Sequence, residues 1–342
     1  MRKSLRILGI GLVVVSLFTS IAQAKEIIDM YGRKLSVPER ARKVVSIGPT
    51  GTYLLYAIDP TMLAGLNFPV KENQRKYLHA RMNLLPIIGW FGQGQTTNRE
   101  TLMMINPDVV FTSKLDQSLS NKVNEHLKVL KMPVVEMTVD TLPEYPEAFL
   151  RAGRILGRET RARKLSDYSR KTLAETEAIV SRLPRDKKVS VYYAEGPDGL
   201  STECDTSRHV ELIRLAGGVN VHRCVARNPY GMEKVSLEQV LMYNPQVILA
   251  FDRGFYRKVF RDPLWRNIRA VKTGRVYLIP EEPINWFDRP PSFMRFIGLK
   301  WVLNRLYPNE YRVDMVREAR EFYRLFLGVD VSDREMKTVL GR

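Results

Sequence analysis

One long segment of the chain, Glu159 to Leu183, carries its apolar and small residues at three- and four-residue steps. That spacing is the period of a helix with one packed face. Gly157 precedes the segment, and Pro184 follows it, where a helix cannot continue. At about 1.5 Å per residue the helix would be roughly 35–40 Å long, so it predicts either a strut between two lobes or a long surface helix within one domain. The packed positions are Ala162, Leu165, Tyr168, Ser169, Leu173, Thr176, Val180 and Leu183.

Shorter hydrophobic runs on both sides of this helix predict strands that alternate with helices. The first strand leads into the turn Gly48–Thr52 and a helical stretch from Tyr53 to Ile58. Such a turn aims backbone N–H groups at an anion or polar ligand, or serves only to reverse the chain. The alternation predicts an α/β protein with mostly parallel sheets. The strand runs are Lys43–Ile47, Met62–Leu66, Val189–Tyr193 and Arg275–Ile279, and the last helical runs are Ser292–Leu306 and Arg312–Leu327.

A helix–turn–strand unit occurs twice, at residues 98–111 and 236–249. Both copies start on a capping residue, Asn98 or Ser236, and both break at an Asn-Pro pair. The offset of 138 residues is constant across the unit, and the long helix lies between the two copies. The repeat therefore favours two similar lobes joined by one helix over a single domain.

The first 24 residues have the pattern of a secretory signal peptide. A basic lead from Met1 to Arg6 precedes an apolar run from Ile7 to Phe18, and Ala22-Gln23-Ala24 forms a small-x-small cleavage site before Lys25. The apolar run is too short to span a bilayer. The residue directly after the cleavage site is Lys25, where a lipid-anchored protein would carry a Cys. We therefore expect a soluble, exported protein in the periplasm, without a lipid anchor.

The chain is strongly basic, with a formal net charge of +17. Loss of Arg2, Lys3 and Arg6 with the leader lowers this charge to +14. Such a surplus favours anionic partners. The basic residues are scattered and no nucleic-acid-binding motif occurs, which favours a generally basic, solvated surface over a nucleic-acid partner.

Cys204 and Cys224 are the only cysteines and lie 20 positions apart. In an oxidising compartment they would form a disulfide, worth roughly 3 kcal/mol through loop closure, or remain buried free thiols. The histidines show no ligand spacing and the cysteines lack a companion pair, so the sequence predicts no directly bound metal and no cofactor. The histidines are His79, His126, His209 and His222.

Five motifs, in order along the chain, resemble the class III periplasmic substrate-binding proteins of ABC importers, the iron-siderophore and vitamin B12 type. The resemblance covers nearly all of the mature chain. It implies two Rossmann-like α/β lobes with mostly parallel sheets, a single long linking helix and a ligand cleft between the lobes. The motifs are Val44–Pro49, the glutamate-bearing helix before Asn106-Pro107-Asp108, Arg208–Leu212 with Ala216–Asn220, Val235–Val240, and Trp286–Arg289. The implied division is residues 1–24 for the signal peptide, 25–157 for the N-terminal lobe, 158–184 for the linking helix, and 185–342 for the C-terminal lobe with a C-terminal helix.

The resemblance also implies that one glutamate on each lobe docks with arginines of the permease. Glu100 and Glu238 occupy the matching positions, and the repeat makes them equivalent. Each lies in the first turn of a predicted helix, where a negative charge is favourable against the helix dipole by roughly 0.3–1 kcal/mol. A pair of helix-terminus charges without a partner is therefore the alternative.

We expect ligand-contacting residues in the loops at strand ends, where open α/β sheets bind ligands. Aromatic rings would cover the apolar faces of a ligand, and guanidinium groups would bind its anionic oxygens. Many family members carry a glutamate at the position of Tyr53, so the identity of the ligand does not transfer. The predicted residues are Thr50, Gly51, Thr52, Tyr53, Trp90 and Phe91 from the first lobe and Glu195, Arg208, Tyr230, Arg253, Trp286, Phe287 and Arg289 from the second.

The function implied by the resemblance is that of a monomeric, non-enzymatic binding protein. It would capture an anionic metal chelate (an iron-siderophore, haem-like or cobalamin-like complex) and deliver it to an ABC permease at the inner membrane. A small oxyanion such as molybdate stays open as the ligand, because helix N-termini and arginines would hold it equally well. An exported hydrolase is the alternative from another class, but the chain has no nucleophile elbow, zinc-protease helix motif or phosphate-binding lysine loop.

Overall fold

The computed structural model describes residues 24–91, 96–113, 127, 132–226 and 231–341. All of the predicted signal peptide except Ala24 lies outside these residues, and so does Tyr230. In the part of the chain that the structure describes, no helix has both the length and the apolar run that crossing a bilayer requires.

The N-terminal lobe is built on parallel strands, the first of which is buried at every residue. Within the described residues, β3, β4 and β5 pair in that order, with Val44 opposite Val109 and Val110 opposite Val134. An antiparallel hairpin, β1 with β2, precedes them. The elements are β1 (Ala24–Ile28), β2 (Lys34–Pro38), β3 (Val44–Ser46), α1 (Pro49–Ile58), α2 (Arg99–Ile105), β4 (Val109–Ser113), β5 (Val134–Met137) and α3 (Tyr145–Leu156).

The predicted strand Met62–Leu66 is wrong. Pro60–Met62 form a 3-10 turn instead, because Asp59 Oδ1 accepts a hydrogen bond from the Thr61 amide at 2.9 Å and fixes the chain reversal. What remains of the strand is two single bridges, Leu63 to Val44 and Leu66 to Ile87. The segment that follows is therefore irregular, with 3-10 turns at Glu72–Tyr77 and Ala80–Leu84.

The predicted long helix is present as α4 (Glu159–Val180), three residues shorter than predicted. Its Ala162 and Leu165 are fully buried. It packs closely on α3, because a Cβ at Gly153 would lie only 2.2 Å from the Cβ of Ala162. Glycine at position 153 is therefore what lets the two helices approach each other.

The C-terminal lobe has a second parallel sheet, with the described strands in the order β11-β10-β6-β8. Every residue of β10 is fully buried, as expected for a strand inside a parallel sheet that helices cover on both faces. The elements are β6 (Ser190–Ala194), β7 (Ser201–Thr202), α5 (Glu211–Leu215), β8 (Val219–Asn220), β9 (Glu233–Lys234), α6 (Leu237–Tyr243), β10 (Val247–Ala250), α7 (Arg253–Val259), α8 (Arg269–Lys272), β11 (Val276–Leu278), α9 (Arg295–Leu306), α10 (Met315–Phe326) and α11 (Asp333–Val339).

The predicted repeat is confirmed. The helix–strand units α2–β4 and α6–β10 lie in different sheets. Asn98 accepts a hydrogen bond from the Thr101 amide, and Ser236 accepts one from the Gln239 amide, so each helix begins on its predicted cap. Both helices end on an asparagine in the left-handed conformation, Asn106 at φ 47° and Asn244 at φ 41°. The fold is therefore α/β with parallel sheets, as predicted.

Helix α10 contacts both lobes. The ring of its Tyr323 lies 5.7 Å from that of Tyr77, and the ring of Phe326 lies 6.0 Å from Phe149 and 5.3 Å from Phe293. Just after the helix, the carbonyl of Leu327 accepts a hydrogen bond from the Tyr56 hydroxyl at 3.4 Å. The lobes are thus tied together at α10 as well as through α4.

Candidate ligand-binding site

A cavity of about 510 Å³ lies between the two lobes. Its volume falls within the range of roughly 300–1,000 Å³ that is usual for small-molecule sites. One wall comes from α1 and the irregular segment after it, and the other comes from the loops that follow β10 and β11. The lining residues are Pro49, Thr52, Tyr53, Tyr56, Leu63, Leu66, Asn67, Phe68, Pro69, Val70, Lys71, Gln74, Leu78 and Met82 from the N-terminal lobe and Phe251, Glu281, Ile284, Asn285, Arg289 and Pro290 from the C-terminal lobe.

The N-terminal wall is mostly apolar, and its phenols stay neutral. Burial raises the pKa of both Tyr53 and Tyr56 to about 12. The Tyr56 hydroxyl accepts a hydrogen bond from the His79 amide at 2.9 Å, which fixes its ring. Phe68 is 42 % exposed, and its ring lies 6.2 Å from that of Trp90. This wall therefore offers aromatic and aliphatic surface to a ligand, without charge from its tyrosines.

Asn67 positions the edge of this wall. Its Nδ2 donates hydrogen bonds to the carbonyls of Ser46, at 3.0 Å, and Gly89, at 2.8 Å, while its Oδ1 accepts one from Thr52 Oγ1 at 2.6 Å. A single buried amide thus joins the end of β3, the start of α1 and the loop before Trp90. The hydrogen-bonding capacity of its side chain is largely satisfied inside the protein, so its role is to position the wall.

The C-terminal wall carries a buried network of charges around Arg289. Its Nε donates to Glu195 Oε1 at 2.5 Å, and its Nη2 donates to Glu203 Oε1. Asp288 Oδ2 lies 3.6 Å from the same Nε and 2.7 Å from His209 Nδ1. The Arg289 side chain is 21 % exposed, whereas the side chains of the three carboxylates are at most 2 % exposed. Arg289 is therefore the member of the network that reaches the cavity.

Burial and ion pairing shift the pKa values of Arg289 and Glu195 in opposite directions. Burial alone would lower the pKa of Arg289, but the neighbouring carboxylates outweigh it and raise that pKa, so the guanidinium is always charged. Burial raises the pKa of Glu195 to about 7, although Arg289 acts in the opposite direction. Among the described residues no hydrogen-bond donor reaches Glu195 Oε2. A ligand anion at Arg289 would therefore compete with a carboxylate that is close to taking up a proton.

Comparison with known proteins decides the family. A family model described as "Periplasmic binding protein" matches residues 25–283, more than half of the chain. The chain belongs to the periplasmic binding protein family.

This binding protein is also similar to individual members of the family. It is 35 % identical to a solved ABC transporter solute binding protein from Sulfurospirillum deleyianum, which it matches over 93 % of its own length and 99 % of the other chain with a TM-score of 0.87. It is 26 % identical to the molybdate-binding protein MolA of Haemophilus influenzae, over 94 % of this chain and 96 % of MolA. It is 23 % identical to the iron(3+)-hydroxamate-binding protein FhuD of Bacillus subtilis, over 58 % of this chain and 62 % of FhuD. These matches confirm the predicted resemblance to class III binding proteins with two lobes.

The structure brings three of the predicted ligand-binding residues to the cavity of the binding protein: Thr52, Tyr53 and Arg289. Glu195 lies directly behind Arg289, and the ring of Trp90, outside the lining, lies 6.2 Å from that of the cavity residue Phe68. Gly51 faces away, because a Cβ there would lie 2.2 Å from Ser46 Oγ.

Further predicted residues do not line the cavity. Arg208 pairs with Asp140 at 3.2 Å, and Arg253 pairs with the cavity residue Glu281 at 3.1 Å. Phe91 packs against the core on one side of the N-terminal sheet. Thr50 is half-buried outside the lining, and Tyr230 lies outside the described residues.

Trp286 and Phe287 need correction, because neither presents a face to the cavity. Trp286 is fully buried against the ring of Tyr323, with its Nε1 donating to the Glu282 carbonyl at 3.0 Å. Phe287 is 1 % exposed, and its ring lies 4.7 Å from that of Tyr193. Burying a large apolar side chain is favourable by roughly 1.5–3 kcal/mol, which explains why both rings belong to the core.

Asn67, Phe68 and Asn285 were missed by the sequence analysis. Asn67 and Phe68 directly follow Leu66, the end of the hydrophobic run that was interpreted as a strand. The end of a hydrophobic run is the signal that points to them, because ligands of open α/β sheets bind where strands end. Asn285 directly precedes Trp286, and no local sequence signal distinguishes it from the other residues of this loop.

The predicted docking helices α2 and α6 lie outside the cavity lining. Glu100 and Glu238 are both exposed in the first helical turn. Hydrogen bonds from its own backbone and from Ser236 lower the pKa of Glu238, so its carboxylate is ionised at neutral pH. The position of each carboxylate on the surface permits contact with another protein.

The cysteines are joined in the structure, with 2.07 Å between the Sγ atoms of Cys204 and Cys224. Within the described residues, these two cysteines and His222 form the group whose ligand atoms lie close enough together to hold a metal. Cysteine binds a metal as the thiolate. Both sulfurs are bonded in the disulfide and are therefore not thiolates. The absence of a directly bound metal stays a prediction.

Proposed function

We propose that this periplasmic binding protein captures an anionic metal chelate in the cleft between its lobes and delivers it to an ABC permease. The observation that carries the proposal is the cavity of about 510 Å³, which has an apolar wall on one lobe and Arg289 on the other. An organic chelate offers both features that these walls would bind. Its ligand framework has apolar faces for Tyr53 and Phe68, and its carboxylate or hydroxamate oxygens would accept hydrogen bonds from the guanidinium.

The size of the cavity supports a chelate over a bare oxyanion. A water molecule occupies about 30 Å³ in the liquid, so a tetrahedral oxyanion of a few such volumes would need on the order of 100 Å³. The cavity would leave most of its apolar wall out of contact with such an ion. The similarity to an iron(3+)-hydroxamate-binding protein over 58 % of the chain supports the same proposal.

Molybdate is the second candidate ligand, favoured by a different observation. The similarity to the molybdate-binding protein MolA extends over 94 % of this chain, a larger share than the similarity to FhuD. Arg289 would supply charge-assisted hydrogen bonds to the oxyanion. In this case the apolar wall would contribute little to affinity.

Isothermal titration with ferric citrate, a ferric hydroxamate and sodium molybdate tests these alternatives, with Phe68→Ala and Arg289→Gln as variants. A chelate that binds wild-type protein should lose affinity in both variants, because it contacts both walls. Molybdate should lose affinity only in Arg289→Gln. Binding of molybdate alone, unaffected by Phe68→Ala, would refute the chelate proposal. Chemical conversion of any bound compound would instead support the hydrolase alternative.

We further propose that Glu100 and Glu238 dock the protein onto the permease. Both carboxylates are exposed and occupy equivalent positions of the repeat. The double variant Glu100→Ala/Glu238→Ala should abolish ligand uptake by cells while leaving ligand affinity unchanged. Glu159→Ala is the matched control, because Glu159 is also an exposed acid in the first turn of a helix. A loss of ligand affinity in the double variant would defeat the docking assignment.

The remaining predictions belong to the same proposal. Residues 1–24 would direct export and be removed, leaving a monomer in the periplasm without a lipid anchor. Residues 25–157 and 185–342 would form the two lobes on either side of the linking segment 158–184. Mass spectrometry of the periplasmic protein would test the cleavage: a mature chain beginning at Lys25 is expected, and a lipid-modified or uncleaved chain would contradict it.

A further inference from the structure

Helices α2 and α6 expose the same positions on the two lobes. Met104 and Met242, which are equivalent in the repeat, are each 79 % exposed, and the preceding pair, Met103 and Leu241, are 61 % and 39 % exposed. The residue before each pair, Leu102 or Val240, is fully buried and anchors its helix to the lobe. The two copies of the repeat therefore agree in the exposure of individual side chains, and not only in their helix caps and the strand that follows.

Each helix presents its apolar pair on the same face as its acid. Residues three and four apart are neighbours on a helix surface, so Met103 and Met104 lie beside Glu100. The same spacing places Leu241 and Met242 beside Glu238. Each lobe therefore carries one small patch with a carboxylate at one end and two apolar side chains next to it.

This concentration of exposed apolar side chains is unusual for the molecule. Among the described residues, four of the twelve large hydrophobic side chains that are exposed belong to these two short helices. A single exposed apolar residue needs no explanation, because most surfaces have several. Two matched pairs, on helices in different lobes and outside the lining of the ligand cavity, do call for one.

The patches also differ in charge from the protein that carries them. The chain as a whole has a net charge of +17, yet α6 carries Glu238 and no basic residue, while α2 carries Glu100 together with one exposed cation, Arg99, next to Met103. A basic partner with apolar surface next to its cations would complement such a patch and would be repelled by most of the remaining surface. Because the two patches are equivalent, they fit a partner that presents the same surface twice.

We infer that Met103, Met104, Leu241 and Met242 form the apolar half of the permease-docking surface, one pair on each lobe. This inference rests on the proposed docking of Glu100 and Glu238. The carboxylates would orient the two proteins, and the apolar pairs would be buried in the contact. Three of the four residues are methionines, whose flexible thioether side chains adapt to surfaces that change shape, as a permease surface does during transport.

Photocrosslinking in the producing cells tests the contact directly. Benzoylphenylalanine placed at position 104 or 242 should crosslink to a subunit of one ABC permease, identified by mass spectrometry. The same group at position 28 or 264 is the control, because Ile28, in β1, and Leu264, in the turn between α7 and α8, are 53 % and 62 % exposed and lie outside α2 and α6. Crosslinks from positions 104 and 242 to a second copy of this chain, or no crosslinks, would overturn the inference.

Affinity for that permease, reconstituted in nanodiscs, separates the inference from the proposal on which it rests. Met104→Gln/Met242→Gln should weaken docking about tenfold or more, as is usual for buried residues at the centre of an interface. Ile28→Gln/Leu264→Gln should leave docking unchanged, and none of these variants should alter the affinity for ferric citrate or molybdate. If Glu100→Ala/Glu238→Ala weakens docking but Met104→Gln/Met242→Gln does not, the inference fails and the proposed function stands. If neither double variant weakens docking, both fail.

Discussion

The two lobes agree on their outer helices and differ at the cleft. Residues 100–106 of α2 and the turn after it match residues 238–244 of α6 in burial and in their left-handed ends. The cleft walls share no such match. One wall is lined by Tyr53, Tyr56 and Phe68, whereas the other carries Arg289 over three buried carboxylates.

This difference is what we expect if the two similar lobes serve two functions, docking on a partner and binding a small ligand. The proposed permease would meet both lobes in the same way, which would preserve the equivalence of the helices that it contacts. A small ligand held between the lobes has no such symmetry, so each wall is free to supply what the other lacks. The C-terminal wall is therefore expected to depend on charge and pH, and the N-terminal wall on shape and apolar area.

The largest expected effect concerns the charge network. Arg289→Leu leaves Glu195 and Glu203 buried without their cation, so we expect the free energy of unfolding at neutral pH to fall by about 3–5 kcal/mol. Arg253→Leu is the matched control, since it breaks only an exposed pair with Glu281, expected to contribute about 0–1 kcal/mol. Urea denaturation measures both variants. Equal losses would mean that the network is no more important than a surface pair.

The next effect concerns the disulfide, which only the C-terminal lobe has. Cys204→Ser/Cys224→Ser opens a loop closed by residues 20 positions apart, so we expect a loss of about 3 kcal/mol in the free energy of unfolding. Hydrogen exchange would show where this loss appears. Faster exchange confined to the C-terminal lobe would show that the lobes open independently, and equal acceleration in β3–β5 would show that they unfold as one unit.

The buried carboxylate Glu195 behind the C-terminal wall also predicts that the free energy of unfolding depends on pH. Because burial raises the pKa of Glu195 to about 7 from an ordinary 4.5, the folded protein binds this proton more tightly than the unfolded chain does. The contribution of this proton to the free energy of unfolding is fully present below about pH 4.5 and is lost as the pH rises through about 7. The total loss is at most about 3 kcal/mol. Glu195→Gln should flatten the stability profile in this window. Tyr53→Phe, on the opposite wall, should leave it unchanged, because the pKa of Tyr53 is about 12; a profile that Glu195→Gln does not alter would contradict the assignment.

The smallest expected effect concerns the apolar wall. Phe68 is 42 % exposed, so Phe68→Ala should change the free energy of unfolding by less than about 0.5 kcal/mol. Its loss should nevertheless weaken the binding of an organic chelate by about 1 kcal/mol, or fivefold to tenfold, through the missing ring contact. Titration calorimetry beside thermal unfolding measures both quantities. A large loss of stability with unchanged affinity would place Phe68 in the core instead of the site.

The fold was predictable from the sequence because its signals are periodic and duplicated. The pattern in Glu159–Leu183 gave the linking helix within three residues of its end, and the repeat gave both helix–strand units with their caps. Met62–Leu66 was not predictable from apolar content, because a capping aspartate and a proline decide its conformation locally.

The site was less predictable, because a large residue in a loop can face either the ligand or the core. Trp286 and Phe287 lie in the same loop as Arg289. Only their packing against Tyr323 and Tyr193 determines that the two rings are buried. Arg289 reaches the cavity because its carboxylate partners, Glu195 and Glu203, are fixed behind it. That geometry depends on residues more than 80 positions apart, which no local pattern encodes.

The packing of α10 against both lobes has a kinetic consequence. We expect a gap braced by α4 and α10 to keep nearly the same width whether it is empty or filled, so that the proposed ligand would enter without waiting for a gate. Arrival would then proceed at a rate set by diffusion and by attraction to the basic surface, and differences in affinity among cargo molecules would appear in how long each one stays. Under the proposed function, release would then require the permease to open the gap.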